Sequence, residues 1–294
     1  MKQAKGKQGY DMRGFLAAYD KVMEKWPADR EALTVTTRFG ATRVNVCGPR
    51  DAPPLVLLPG GGGATSASWF ANVGVLSRAH RVYAVDLIGE PGRSTREAGH
   101  PLRMAADLTA WLDQVLDGLG ADTTALCGHS YGAWIALHYT AHAPHRVRRL
   151  ALLDPTGCFT GFRTAYLLRA ARMLLRRSAR STRAFLEWET GGASLNPDWL
   201  RLQEAAAGFP FVRPVTGPAP DHAATAALDV PALLLLAGSG RAHEARRVAA
   251  RAVRWLPRAE VVTLPGVSHH MLPHANSAET DHHLAAFLDG GRTR

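Results

Sequence analysis

The segment from Thr124 to His142 limits the possible folds most, because it predicts a buried strand that turns sharply into a helix. Apolar residues at 125–127 run into the pentapeptide GHSYG at 128–132, and a helix-forming stretch, Ala133–His142, follows. A turn this tight leaves no space for a Cβ atom on either side of the serine, which accounts for the two flanking glycines. This pattern is typical of a nucleophile elbow, and it predicts that Ser130 is an exposed, strained nucleophile.

Short apolar runs alternate with helical patterns along most of the 294 residues. An antiparallel hairpin is predicted from segments 34–39 and 42–46. Further strands are predicted at Leu55–Leu58, Val82–Asp86, Ala125–Cys127, Arg149–Leu153, Ala232–Ala237 and Glu260–Leu264. Helices are predicted at Tyr10–Lys25, Met104–Leu119, Ala133–His142, His243–Trp255 and Ser277–Leu288. The alternation predicts an α/β fold with a mostly parallel central sheet and helices on both faces.

One long stretch, residues 155–230, interrupts this alternation. It contains helical patterns, a glycine pair and a proline-rich passage, but no convincing strand. We interpret it as a helical cap inserted into a core formed by residues 1–154 and 231–294. Ligands of open α/β sheets bind beside the carboxyl ends of the strands, so the cap is expected to roof the binding site.

A histidine base for Ser130 is predicted in the loop that follows the last strand, where the sequence is LPGVSHH at 264–270. His269, directly after the small residue Ser268, is the preferred base, and His270 is the alternative. The chain order of serine, acid and histidine is the one expected for an elbow on this kind of sheet.

The acid that orients the base has two candidates. Glu244 is the only carboxylate in the loop GSGRAHE at 238–244, and it precedes His269 by 25 residues. Its long side chain gives it reach, and it is the preferred acid. Asp154, immediately after the strand Arg149–Leu153, is the alternative, because an acid there can approach the same histidine from a neighbouring strand end.

Backbone N–H groups are expected to bind the oxyanion. One donor is predicted to be Tyr131, which follows the nucleophile. The second is predicted to be Gly61 or Gly62 in the loop PGGGGATS at 59–66, since glycines let the backbone approach a substrate oxygen closely. A phosphate-binding loop is less consistent with this segment, because no Gly-Lys-Ser/Thr follows.

A net charge of +10 raises the possibility of nucleic-acid binding. All five lysines fall in the first 25 residues and every later basic residue is arginine, which is typical of biased codon usage, so no nucleic-acid partner is expected. A series of arginines is predicted to form one helical stripe opposite Leu167, Ala171 and Leu174, which are expected to be buried. The stripe comprises Arg169, Arg172, Arg176, Arg180 and Arg183. A weak electrostatic contact of this cap helix with anionic surfaces is the one further partner considered.

Cysteine usage and the amino terminus bear on the compartment. The three cysteines, Cys47, Cys127 and Cys158, lack metal-ligand spacing and predict neither a metal site nor disulfides. The first nine residues are polar and basic with no apolar segment behind them, and no run of about 18 apolar residues occurs. A soluble cytoplasmic protein is the expectation.

The chain resembles the α/β-hydrolase superfamily, and over nearly its whole length it is similar to the capped carboxylesterase-like hydrolases of bacteria. The resemblance is carried by LLPGGGG at 57–63, DLIGEPGRS at 86–94, GHSYG at 128–132 and LPGVSH at 264–269. It implies a serine nucleophile, His269 as base and an acid in the 238–244 loop.

The activity implied is hydrolysis of small apolar carboxylic esters through an acyl-enzyme, with no metal or organic cofactor. Thioesterase, lactonase and perhydrolase chemistry use the same groups and stay open, as does a non-catalytic small-molecule-binding protein on this fold. Substrate choice is expected to depend on residues 155–230. Aromatic candidates for lining the pocket are Trp69, Phe70, Phe159, Phe162, Trp188 and Trp199.

Overall fold

A computed structural model describes residues 10–210, 212–275 and 277–290. Among them are nine strands: β1 Glu31–Thr37, β2 Gly40–Cys47, β3 Pro54–Leu58, β4 Arg81–Val85, β5 Thr95–Arg96, β6 Thr124–His129, β7 Val147–Leu153, β8 Ala232–Ala237 and β9 Ala259–Leu264. The α-helices of the same residues are α1 Met12–Met23, α2 Val73–Leu76, α3 Ala105–Gly118, α4 Tyr131–His142, α5 Thr164–Arg176, α6 Ala179–Glu189, α7 Pro197–Ala206, α8 His222–Ala226, α9 Ala245–Trp255 and α10 Ser277–Leu288. The basic segment at 1–9 lies outside the described residues.

The strands form one sheet in the order β1-β2-β4-β3-β6-β7-β8-β9, with β5 paired to β2. The hairpin β1–β2 is antiparallel, and β2 joins β4 in antiparallel pairing. From β4 through β9 every neighbouring pair is parallel. The predicted α/β fold with a mostly parallel sheet is therefore confirmed. Because parallel strands end at the same edge, the loops after β3, β6, β7, β8 and β9 converge there.

The strand side chains alternate between two cores, one on each face of the sheet. In β3, Val56 and Leu58 pack on one face with α3, α4 and α9. Leu55 and Leu57 pack on the other face with α1 and α10. Burial on both faces explains why the central strands are continuous apolar runs that can be recognised in the sequence.

Residues 155–230 contain helices α5 to α8 and, within the described part of the chain, no strand of the sheet. Helix α7 begins with Asn196, whose side chain accepts hydrogen bonds from the N–H groups of Asp198 and Trp199, and Pro197 occupies the first helical position. The interpretation of this stretch as a cap over a separate core stays a prediction.

The predicted arginine stripe is wrong in two respects. Helix α5 ends at Arg176, Arg177 adopts a left-handed conformation (φ 41°), and α6 begins at Ala179, so the five arginines do not share one helix. Leu167 and Leu174 are 49% and 50% exposed rather than buried. The inward face of α5 is formed instead by Tyr166, Ala170 and Met173. Because α5 is apolar on two faces, periodicity alone did not identify the inner one.

In the part of the chain that the structure describes, every helix is too short or too polar to cross a bilayer. The three cysteines are buried and unpaired.

Candidate active site

Ser130 lies on the turn between β6 and α4, with backbone angles of φ 54° and ψ −114°. A residue other than glycine in such a conformation costs on the order of 1–3 kcal/mol, which the surrounding packing must offset. A Cβ atom added to Gly128 would lie 2.3 Å from the carbonyl oxygen of Gly132, and one added to Gly132 would lie 2.3 Å from that of Leu58. The predicted steric reason for both glycines is confirmed.

His269 follows β9 and contacts Ser130 directly. Its Nε2 atom is 2.9 Å from Ser130 Oγ, and the residue is 1% exposed. The alternative, His270, is turned away, with its Nε2 atom 3.1 Å from the hydroxyl of Tyr166. When Nε2 accepts the serine proton, Nδ1 carries the hydrogen that faces the acid.

The carboxylate that contacts His269 belongs to Asp154, at the end of β7. Asp154 Oδ2 is 2.6 Å from His269 Nδ1, and Oδ1 accepts from His243 Nε2 at 2.9 Å and from the Ala237 N–H at 3.0 Å. The residue is fully buried and has a φ of 41°. Strands β6 and β8 lie on either side of β7 and lead to Ser130 and to the 238–244 loop. All these groups therefore meet at one edge of the sheet.

Electrostatics in this cluster favour a charged acid beside a basic imidazole. Burial alone raises the pKa of Asp154, but hydrogen bonds from His243 and His269 outweigh it, and the pKa lies well below its usual range. Burial alone lowers the pKa of His269, but the hydrogen bond and the charge of Asp154 outweigh it and leave the pKa raised.

Glu244, the preferred acid from the sequence, does not contact His269, and that prediction is wrong as a statement of geometry. Its carboxylate is 3.1 Å from the guanidinium of Arg163, and its side chain is 48% exposed. Glu244 occupies the position before the first residue of α9, and its side chain makes no capping hydrogen bond there. The preceding residue, His243, points inward to Asp154, so the 238–244 loop contributes a histidine rather than an acid.

The glycine loop after β3 lies against the elbow. A Cβ added to Gly60 would be 3.4 Å from the Ser130 Cβ, and one added to Gly61 would be 3.5 Å from the Tyr131 Cβ. The N–H of Gly62 already donates to Glu90 Oε2 at 2.8 Å. This bond leaves Gly61 as the better of the two predicted donors, beside the N–H of Tyr131 at the first position of α4.

A cavity of about 470 Å³ opens over Ser130 and His269. Two members of the predicted aromatic set, Phe162 and Trp199, line it. The other four do not: Trp69, Phe70, Phe159 and Trp188. The aromatic side chains missed by sequence reasoning are Tyr131, Trp134, Tyr166, Phe185 and Phe209. These residues are spread over four segments of chain, and their local sequence does not distinguish them from core positions.

Known proteins are similar to this chain over most of its length. Residues 55–282 match the model of the alpha/beta hydrolase family. A curated relative, carboxylesterase YbfK of Bacillus subtilis (strain 168), is 31% identical, and the alignment covers 94% of this chain and 94% of that protein.

Solved structures resemble nearly the whole chain. The crystal structure of carboxylesterase CesB (YbfK) from Bacillus subtilis superimposes with a TM-score of 0.87 at 29% identity, covering 94% of this chain and 98% of the other. That of naproxen esterase (carboxylesterase NP) from the same organism has a TM-score of 0.87 at 26% identity, covering 96% and 99%.

Proposed function

The chain belongs to the α/β-hydrolase family and is an ester-bond hydrolase, and from this premise we propose that it cleaves carboxylic esters of small apolar molecules through an acyl-enzyme on Ser130. The observation that carries the proposal is the buried relay from Ser130 Oγ through His269 to Asp154, with distances of 2.9 and 2.6 Å. These are hydrogen-bond distances in the ground state, as general-base activation of a hydroxyl requires.

In the proposed reaction Ser130 Oγ attacks the ester carbonyl while His269 Nε2 takes the hydroxyl proton. Asp154 keeps the Nδ1 hydrogen in place and stabilises the imidazolium that forms. His269 then returns the proton to the leaving alcohol. Water, activated by the same imidazole, hydrolyses the acyl-enzyme and restores Ser130.

The tetrahedral oxyanion is proposed to rest on the N–H groups of Tyr131 and Gly61. Donors fixed by the backbone are already oriented toward the developing charge and need no rearrangement during the reaction. The bond from the Gly62 N–H to Glu90 supports this assignment, because it holds the loop in a conformation that keeps the neighbouring Gly61 against α4.

The preference for apolar esters is supported by the walls of the cavity. Tyr166 and Phe185 of the inserted helices stand over the site, and Trp134 and Leu186 add further apolar surface. Acyl or alcohol groups that bury apolar area gain roughly 25 cal/mol per Å² of area removed from water.

Hydrolysis of p-nitrophenyl acetate, butyrate and octanoate tests the proposal against the related chemistries. We expect turnover of these esters with Ser130→Ala reduced at least about 10³-fold, because the variant lacks the nucleophile. An acyl-thioester and a γ-lactone assayed alongside should be poorer substrates. A folded wild-type protein that turns over none of the esters, or a Ser130→Ala variant with wild-type rates, would contradict the proposal.

A further inference from the structure

A buried glutamate reaches the catalytic loops from the inserted helices. Glu189 is the last residue of α6 and is 1% exposed. Its carboxylate accepts four hydrogen bonds: Oε1 from the N–H groups of Arg241 (3.2 Å) and His269 (3.1 Å), and Oε2 from Ser268 Oγ (2.8 Å) and the N–H of His270 (3.1 Å).

The four donors belong to two different loops, the one after β8 and the one after β9. All of them are uncharged, so the carboxylate is held by oriented dipoles rather than by an ion pair. Burying a carboxylate costs free energy unless its oxygens accept hydrogen bonds, and each oxygen of Glu189 accepts two. These four hydrogen bonds connect the end of α6 to the turn that carries His269.

The backbone of His269 is therefore held on both sides of its Cα atom. Glu189 accepts from its N–H, and His129 Nε2 donates to its carbonyl oxygen at 3.1 Å. Side-chain contacts to Asp154 and Ser130 then complete the placement of the imidazole ring. Errors of about 1 Å in such placement lower rates on the order of 100-fold, so the loop anchors bear on catalysis.

We propose that Glu189 is a positioning residue of the hydrolase: it fixes the turn at 268–270 so that His269 Nε2 faces Ser130 Oγ, and its negative charge favours the imidazolium formed during acyl transfer. The inference rests on the proposed function and adds a residue supplied by the insertion. Glu189 makes no contact with the reacting atoms and acts through His269.

The proposed role of Glu189 depends on its negative charge. Burial alone raises the pKa of Glu189, but the charges of His270 and His269 and the donated hydrogen bonds outweigh it and lower the pKa, so the group stays ionised. For His269, burial lowers the pKa, while Asp154 and, to a smaller extent, Glu189 raise it. The titratable groups that face the His269 ring are Asp154, Glu189, His129, Tyr166, His243 and His270.

The test compares Glu189→Gln with the control Glu187→Gln, a change to an exposed residue on the same helix. Glutamine keeps one accepting oxygen but presents an N–H₂ group where the second pair of donors lies. We expect kcat for p-nitrophenyl butyrate to fall on the order of 10- to 100-fold with a small change in KM. The acid limb of kcat/KM should move to lower pH, because loss of the negative charge lowers the pKa of His269.

Ser268→Ala provides a second variant that removes one donor and leaves the charge in place. It should lower kcat by less than Glu189→Gln does and leave the acid limb where it is in the wild type. This variant decides the question if Glu189→Gln does not fold. Wild-type kcat in folded Glu189→Gln, or in Ser268→Ala if the glutamine variant does not fold, overturns the inference. An unshifted acid limb in Glu189→Gln also overturns it. Inactive wild-type protein would instead contradict the proposed function.

A second inference rests on the outer face of α5. Leu168 and Leu175 are 67% and 86% exposed, and Leu167 and Leu174 are half exposed. At about 100° per residue, these four leucines and Ala171 fall within an arc of about 120°, on the side away from Tyr166 and Met173. The face continues into the cavity, since Leu174 also lines it.

Positive charge predominates around this face. From Pro155 to Leu186 the sequence holds seven arginines and no Asp or Glu, and two of the seven, Arg163 and Arg183, pair with Glu244 and Glu204 from other segments. Arg172 and Arg176 lie beside the leucines on α5 and are exposed, and Arg180 follows on α6. A second copy of this chain would bring the same positive charge to the contact, and a nucleic acid would leave the leucines unpartnered. A lipid surface with anionic headgroups matches both the apolar and the charged parts.

We infer that the leucine face of α5 docks on anionic lipid surfaces and brings the cavity mouth to them. The test is co-sedimentation with vesicles of phosphatidylcholine alone or with 30 mol% phosphatidylglycerol, a composition chosen on the order of natural anionic membranes. Binding should require the anionic lipid, fall with salt, and drop at least about fivefold in Leu175→Glu.

Val253→Glu, a change to an exposed apolar residue of α9, is the matched control and should bind as the wild type does. Absence of binding to the anionic vesicles would overturn the inference, whether or not the protein self-associates through this face. Equal loss in Val253→Glu would also overturn it, because the effect would then follow from net charge alone.

Discussion

The loops at the carboxyl edge of the sheet and the helices α5 to α8 at 155–230 are built on different principles. Ser130 and Asp154 follow neighbouring strands, and each adopts a positive φ. Helix α5, in contrast, exposes all four of its leucines and packs inward through few side chains. The positions of Ser130 and Asp154 thus follow from strand register, whereas the helices at 155–230 line part of the cavity and bring Glu189 to the loops after β8 and β9.

The difference has an energetic origin. Strands β6 and β8 are buried throughout and β7 is buried from Leu150 to Leu153, so the loops that follow them start from fixed positions. A short helix that covers a cavity packs on one face only and tolerates exchange elsewhere. Substitutions in the two regions should accordingly differ in both size and kind.

The largest contrast is expected between the two carboxylates. Asp154→Asn should lower kcat for p-nitrophenyl butyrate on the order of 10³- to 10⁴-fold, because an amide has no charge to stabilise the imidazolium and its N–H₂ group facing Nδ1 favours the wrong tautomer of His269. Glu244→Gln should stay within about twofold, since it removes only an exposed ion pair with Arg163. The reverse order of effects would make Glu244 the functional acid.

Substitutions in the sheet and in α5 should also differ in their effect on the free energy of unfolding. Leu234→Ala in the centre of β8 removes a fully buried side chain and should lower the free energy of unfolding by about 2–5 kcal/mol. Leu175→Ala on α5 should change it by less than about 0.5 kcal/mol. Urea unfolding followed by circular dichroism measures both, and a similar loss in the two variants would contradict the exposed placement of Leu175.

The smallest predicted effect is the pH dependence of kcat/KM in the wild-type enzyme. Because the pKa of His269 is raised, kcat/KM should fall as pH drops through a value above the ordinary histidine pKa of about 6.5. The rate falls toward low pH because His269 must be neutral to accept the serine proton. An acid limb centred below that value would show that Asp154 and Glu189 do not dominate the environment of the ring.

Sequence alone predicted the parts of the site that depend on local spacing. The elbow is a continuous segment, and the contact of His269 with Ser130 agrees with its place in the loop after the last strand. The two-residue strand β5 was missed because it is too short to give a periodic pattern. The choice of Gly61 over Gly62 required the contact of Gly62 with Glu90, 28 residues away.

The remaining features depend on which strands and loops are neighbours in space. Asp154 and Glu244 each follow a strand, and only the order β6-β7-β8 shows that the first lies beside both Ser130 and His243. Glu189 was not a candidate, because its donors lie 52 to 81 residues further along the chain. Long-range hydrogen bonds of this kind leave no trace in local periodicity.

The most direct test of the account is the rate at which a fluorophosphonate labels the protein, followed by intact-mass spectrometry. We expect one adduct on the wild type, none on Ser130→Ala, strongly slowed labelling of Asp154→Asn and wild-type labelling of Glu244→Gln. No adduct on folded wild-type protein, or an adduct that persists in Ser130→Ala, would contradict a nucleophile at Ser130 activated by His269 and Asp154.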